Sequence, residues 1–142
     1  MEKTLAETLR DGIIEKQMKE EKEREITASM LYSALERRGE IKKRGCGTPP
    51  LDDMLADMIE EIKRFPEKRK IQKTLIEFGN PRMNKYFCAN WEKIINNSAV
   101  GKKVLSFFRE QGFKCCFEID TEAYKFYGSY EHDIFIRIVV EW

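Results

Sequence analysis

Residues 134–142, IFIRIVVEW, show the sequence pattern that decides the fold class. Ile134, Ile136 and Ile138 fall on one side of the pattern, and Arg137 falls on the other. A period of two residues places successive side chains on opposite faces of a β-strand. The stretch therefore predicts a strand that packs one apolar face on a core.

Residues 113–120 show the same alternation. A further short strand is predicted at 124–127, between turns at 120–122 and 128–133. Three such strands predict an antiparallel meander with one face covered by helices. In the first strand the apolar face comprises Phe113, Cys115, Phe117 and Ile119, and the polar face comprises Lys114, Cys116, Glu118 and Asp120.

Helical periodicity dominates upstream of these strands, and it is clearest at residues 51–62. Thr48 is the predicted N-cap of this helix, and Pro66 is predicted to end it. The predicted class is α+β, with a helical N-terminal two-thirds followed by a helix packed on a C-terminal three-stranded antiparallel β-meander. Further helices are predicted at 71–78 and 87–95, and from the N-cap Ser98 to a left-handed stop at Gly112.

The N-terminal stretch begins with Thr4-Leu5-Ala6-Glu7, which fits a capping box. Residues 19–25 are all charged, so the segment up to 40 is predicted as one long helix or as two helices meeting near Glu21. Gly39 is its predicted left-handed stop. The predicted organisation is a charged helical arm at 1–40, a linker at 41–50 and an α+β domain at 51–142.

Apolar side chains recur at helical spacing near the start of this arm, at Leu5, Leu9, Ile13 and Ile14. An apolar stripe on a projecting helix is typical of a segment that docks on a partner helix or groove. These residues are therefore the predicted protein-binding site. The corresponding function is a structural or adaptor protein that joins a larger assembly.

The composition of the 142-residue chain indicates one domain, with 42% apolar and 36% charged residues. No stretch approaches the roughly 18–20 apolar residues of a membrane helix. The start lacks the pattern of a secretory signal, so we expect an intracellular protein. The scattered cysteines, Cys46, Cys88, Cys115 and Cys116, are expected to be reduced.

The residues capable of catalysis or metal binding form no convincing constellation. The single histidine, His132, is predicted in a surface turn, and Cys115 and Cys116 lie within a strand, where small thiols usually pack inertly. No cysteine pair has the spacing of a zinc site. Residues 45–48 lack the lysine of a phosphate-binding loop. We therefore expect no enzyme activity, no metal and no cofactor.

Basic residues cluster twice, which makes nucleic-acid binding the alternative function. Net charge is only +1, and the C-terminal part from Phe117 to Glu141 is acidic, which disfavours phosphate binding there. The sequence from Gln111 to Phe117 also lacks the aromatic spacing of an RNA-recognition motif. The candidate nucleic-acid residues are Arg37, Arg38, Lys42, Lys43, Arg44, Lys63, Arg64, Lys68, Arg69, Lys70 and Lys73.

The chain between Val104 and Trp142 combines Val-Leu-Ser-Phe-Phe, then Gln111-Gly-Phe-Lys, then a strand pair that finishes in Ile138-Val-Val-Glu-Trp. This pattern resembles small helix-plus-hairpin proteins of large DNA viruses and tailed phages. Those proteins usually end in Ile-Ser-Trp, and this chain has Val140-Glu141-Trp142 instead. The resemblance implies a component of a virion or another assembly, and it implies no catalytic residue.

Overall fold

The computed structural model describes residues 2–43, 47–79, 90–126 and 129–142, without the side chains of 22–27, 78–79, 121–126 and 129–132. Predicted features at 44–46, 80–89 and 127–128, including Arg44, Cys46 and Cys88, lie outside these residues. The described elements confirm the α+β class. They are α1 (Leu5–Glu40), α2 (Leu51–Arg64), a 3-10 turn (Pro66–Lys68), β1 (Lys70–Gly79), α3 (Trp91–Asn97), α4 (Ala99–Arg109), β2 (Lys114–Phe126) and β3 (Ser129–Glu141).

The N-terminal segment forms one continuous helix, α1, of 36 residues. Its predicted capping box is confirmed, because the Glu7 amide donates to Thr4 Oγ1 and the Thr4 amide donates to the Glu7 carboxylate. The predicted stop at Gly39 is wrong, since the helix includes this residue and ends at Glu40. A Cβ at Gly39 would lie 3.2 Å from Val100 Cγ2, so the glycine allows a close approach to α4.

The apolar stripe of α2 is confirmed, but its predicted N-cap is not. Pro50 occupies the N-cap position, and no side chain caps the helix. Asp52 and Asp53 lie in the first turn, where carboxylates suit the positive end of the helix. The stripe is buried at Leu51, Met54, Leu55, Met58 and Ile62.

Residues 70–79 form strand β1, so the helix predicted at 71–78 is wrong. Ile71 and Leu75 are four residues apart, a spacing that places two side chains on one face of a helix and also of a strand. Pairing with β3 selects the strand. The register of this pairing shifts between Thr74 and Ile76. Leu75 and Ile76 are both buried at this irregularity, so the apolar residues of β1 do not alternate with polar ones in the sequence.

The sheet has the strand order β1-β3-β2 and is antiparallel throughout. The three-stranded antiparallel sheet is therefore confirmed, although its third strand comes from 70–79. The turn predicted at 120–122 is wrong, and the strand predicted at 124–127 is not a separate one, because β2 runs through to Phe126 and pairs with β3 from Lys114↔Glu141 to Phe126↔Ser129. Residues 129–133 of the second predicted turn are also strand, and residues 127–128 lie outside the described residues. His132 consequently lies in β3 opposite Ala123, and not in a turn.

One face of the sheet and the helices enclose the core. Its central strand supplies Ile134, Ile136, Ile138 and Val140, and α4 adds the fully buried Phe108. The α1 helix also contributes to this core, through Leu31, Ala34 and Leu35.

Two predicted caps of α4 are confirmed. Ser98 Oγ accepts from the Gly101 amide at 2.9 Å and also contacts the Ile95 carbonyl at 2.7 Å, which fixes the corner between α3 and α4. At the other end Gly112 has φ 88°, and the Phe113 amide donates to the Phe108 carbonyl. This hydrogen bond and the packing of the Phe108 ring against the Phe113 ring form a Schellman motif, which ends the helix.

Candidate protein-interaction site

The first half of α1 presents large apolar side chains to solvent. Five of them are exposed by 53–75% of their surface, and we call residues 5–18 the exposed arm. Clustered exposed apolar residues are typical of interaction sites, because single ones are common but contiguous patches are not. Met18 was missed by the sequence reasoning, although its spacing of four from Ile14 could have identified it. The five are Leu5, Leu9, Ile13, Ile14 and Met18.

These side chains occupy two arcs of the helix, because successive residues of an α-helix are separated by about 100°. Leu5, Leu9 and Ile13 fall within an arc of about 80° on this geometry. Ile14 and Met18 form a second arc that begins about 100° beyond Ile13. The exposed arm is therefore apolar on two sides, which suits a helix that contacts two surfaces at once.

The second half of α1 forms one wall of a groove. The groove has a volume of about 780 Å³, and α3 and the start of α4 form its other wall. Sequence reasoning missed the groove, because its walls are 50 or more residues apart in the chain and only tertiary packing brings them together. The described lining residues are Ala28, Tyr32, Leu35, Glu36, Gly39, Asn90, Lys93, Ile94, Asn97, Ser98, Ala99 and Val100.

The groove combines apolar surface with charges at its walls. Tyr32 is exposed by 58% of its surface and Ile94 is partly buried, so both offer apolar area to a bound group. Glu36 on α1 and Lys93 on α3 are both exposed. The close contact of Gly39 with Val100 and the capped Ser98 corner hold the two walls in position. The arrangement suits an amphipathic helix or peptide.

Arg38 is buried, so it cannot belong to a solvent-facing basic cluster as predicted. Only 4% of its surface is exposed, and burial lowers the pKa of its guanidinium. Its Nη2 lies 3.6 Å from Met54 Sδ, and among the described residues Nε and Nη1 have no hydrogen-bond partner. The neighbouring candidates Arg37, Lys42 and Lys43 are exposed.

The basic residues from Lys63 to Lys73 are all exposed, but acids lie among them. Lys63, Lys68 and Lys70 form ion pairs with Glu60, Glu61 and Glu141 at 3.6–3.8 Å. Arg69 Nε donates to the Trp142 carbonyl at 2.8 Å. Because β1 pairs with β3, the basic start of one strand lies beside the acidic end of the other, and their charges partly cancel.

The two described cysteines lie on opposite faces of β2, as expected for adjacent strand residues. Burial raises the pKa of the Cys115 thiol to about 11, and burial and nearby acids raise the pKa of the exposed Cys116 thiol. Both thiols are therefore protonated at neutral pH, which disfavours nucleophilic chemistry. Among the described residues, no cluster of three or more His, Cys, Asp or Glu could hold a metal. The His132 side chain lies outside the described residues.

In the described part of the chain, no helix has the length and apolar character required to cross a bilayer. Comparison of the sequence with protein-family models, with curated proteins and with solved structures finds no match.

Proposed function

We propose that this protein is a non-catalytic structural or adaptor component that joins a larger protein assembly inside the cell through its exposed arm. The observation that carries the proposal is the exposure of five large apolar side chains within residues 5–18. Each such side chain gains roughly 1.5–3 kcal/mol when it is fully buried, so together they favour association with a protein surface.

The C-terminal part of the chain bears on the kind of assembly. The resemblance of residues 104–142 to small proteins of large DNA viruses and tailed phages supports a virion as the assembly. The hairpin and the C-terminal tryptophan that carry this resemblance are separate in sequence from residues 5–18, so the resemblance and the exposed arm are independent grounds.

The test is quantitative co-purification of the tagged full-length protein from its source. We expect a stoichiometric partner or particle with the natural chain. Replacing Leu9, Ile13, Ile14 and Met18 by Gln should abolish its recovery, since glutamine keeps the helix but removes the apolar surface. The control carries Gln at Glu15 and Lys19, polar positions of the same helix. Undiminished recovery with the apolar-to-Gln variant would contradict the proposal.

Nucleic-acid binding is the second candidate, and the exposure of all six basic residues between Lys63 and Lys73 favours it. The ion pairs of Lys63, Lys68 and Lys70 with neighbouring glutamates weigh against it, because phosphates would have to displace these acids. Binding of a labelled duplex or single strand at low salt, falling steeply as salt rises, would support this candidate. Absence of binding at low ionic strength would remove it.

A further inference from the structure

We infer that the exposed arm unfolds and refolds while the rest of the chain stays folded, and that docking selects its helical state. The inference rests on the proposed function, because it concerns how the same exposed arm docks. The helix–coil equilibrium of residues 5–18 then regulates how tightly the protein holds its partner.

The exposed arm has local support in the structure. Between residues 2 and 21 every residue is exposed except Asp11 and Glu20, which are partly exposed. The side-chain hydrogen bonds and the ion pair described here join residues three to eight positions apart, all between Lys3 and Asp11. Opening this segment therefore uncovers little apolar surface, so it needs much less free energy than unfolding the domain.

The second half of α1 is held by tertiary packing instead. Leu31 and Leu35 are buried in the core, and Gly39 lies so close to α4 that a Cβ there would contact Val100. Unwinding this half would expose core residues, so it opens only when the domain unfolds. The boundary between the two kinds of opening therefore falls between residues 21 and 31.

The sequence of the exposed arm keeps its helix close to balance with the coil. Gly12 lies in its middle, where a Cβ would meet nothing within 4 Å, so no packing requires a glycine. Glycine is the poorest helix former apart from proline, and the β-branched Ile13 and Ile14 lose side-chain freedom in a helix. Isolated helices shorter than about 12–15 residues are marginal in water. Because the second half of α1 supplies turns from which the helix can grow, the exposed arm forms a helix but opens readily.

Docking depends on this equilibrium because the helix aligns the apolar side chains. Leu5, Leu9 and Ile13 share one arc of about 80° only while the segment is helical. A partner that binds this arc binds the helical state alone. The apparent dissociation constant is then the intrinsic one divided by the helical fraction.

Amide hydrogen exchange of the full-length protein, followed residue by residue with NMR, tests the inference. Amides of residues 9–18 should be protected less than about a hundredfold, since they exchange by local opening. Amides of residues 32–37 should be protected at least about ten-thousandfold, because they exchange only when the domain unfolds. Protection in the two segments that agrees within about tenfold would overturn the inference.

Two substitutions shift the equilibrium without changing an apolar side chain of the exposed arm. Gly12→Ala should raise the protection of residues 9–18 about fivefold, through helix propensity. Thr4→Ala should lower it by up to about fivefold, because it removes the cap. The control Ser33→Ala improves propensity at an exposed position of the second half, and it should leave protection of the exposed arm within about twofold.

The same variants connect the equilibrium to docking. Co-purification from the source should recover most partner with Gly12→Ala, less with the natural protein and least with Thr4→Ala, in the order of their helical fractions. Equal recovery by variants whose protection differs would overturn the inference, because docking would then not select the helix.

The outcomes also separate this inference from the proposed function. If both halves of α1 are equally protected but the Gln variant of the exposed arm loses its assembly, the inference fails and the proposed function stands. If residues 9–18 open locally but the assembly is recovered equally with the Gln variant, the proposed function fails, and the link between opening and docking fails with it.

Discussion

The two halves of α1 belong to one helix but have opposite environments. Leu31, Ala34 and Leu35 in the second half are buried in the core, whereas Leu5 and Leu9 in the first half are exposed. On helical geometry of about 100° per residue, the arc of Leu5, Leu9 and Ile13 lies on the same side of the helix as these buried residues, whereas Ile14 and Met18 do not. The side that packs in the core thus continues along the helix into the exposed arm, where its side chains are exposed.

This difference shows that apolar periodicity specifies a helix but not what covers it. A helix of this length gains most of its stability from packing an apolar face, because propensity alone is marginal in water. The second half of α1 obtains that packing within its own chain. The exposed arm has the same kind of residues without a cover among the described residues, and this exposure is the basis of the proposed docking role.

The largest expected effect compares one leucine from each half. Leu31 is fully buried, so Leu31→Ala should lower the free energy of unfolding by about 2–5 kcal/mol through lost burial and a cavity. Leu9→Ala should change it by no more than about 0.5 kcal/mol, since Leu9 is exposed. Urea denaturation at a concentration where the chain is monomeric measures both. Similar losses for the two variants would show that the exposed arm is packed within its own chain.

A second comparison uses one glycine from the packed region and one from the exposed arm. A Cβ at Gly101 would overlap the Ile95 carbonyl oxygen, so Gly101→Ala has to move backbone at the α3–α4 corner. We expect a loss of at least about 1–3 kcal/mol in the free energy of unfolding. A Cβ at Gly12 meets nothing within 4 Å.

Gly12→Ala should therefore strengthen the helix by up to about 1 kcal/mol, through propensity alone. Amide hydrogen exchange around residue 12 measures this local gain, and urea denaturation measures the loss at Gly101. A stable Gly101→Ala protein would show that the corner has more room than the structure indicates.

The smallest effect concerns the pH dependence of the packed region. The folded protein holds the pKa of Cys115 at about 11, above its ordinary value near 9, because the thiol is buried. Between these pH values the unfolded thiol loses its proton while the folded one keeps it. The unfolded state then binds fewer protons, so stability should fall as pH rises from about 9 to 11.

Cys115→Val should remove this contribution, because valine fills a similar space and has no proton to lose. Urea midpoints measured at pH 8, 9, 10 and 11 test it, and Cys116→Ser measures separately the contribution of the exposed thiol, whose pKa is also raised. If the stability of Cys115→Val falls by the same amount at alkaline pH, other titratable groups cause the fall.

Sequence reasoning succeeded where the determining interactions are local. The Thr4 capping box, the Ser98 cap and the Gly112 stop each involve residues within one or two turns of each other, and the structure has all three. It failed at Ile71 and Leu75, whose spacing suits a helix and a strand equally. It also divided the hairpin into separate strands, because Tyr124 to Asp133 has weaker alternation than the rest of β2 and β3.

The same distinction holds for the candidate site. Leu5, Leu9, Ile13 and Ile14 could be identified from their spacing, and their exposure agrees with an unpartnered helix. Arg38 was assigned to a basic surface because its charge is visible in the sequence, but its burial is not. The groove between α1 and α3 could not be predicted, since its walls are distant in the chain.

Neighbouring residues were enough to predict the strongly periodic helix α2, the caps at Thr4, Ser98 and Gly112, and the regularly alternating parts of the strands. These features depend on backbone hydrogen bonds and side-chain faces that neighbouring residues define. Packing between distant segments makes 70–79 a strand beside β3, buries Arg38 and brings the second half of α1 into the core. Those outcomes depend on which distant surfaces meet, because burial is a property of the pair of surfaces and not of either segment alone.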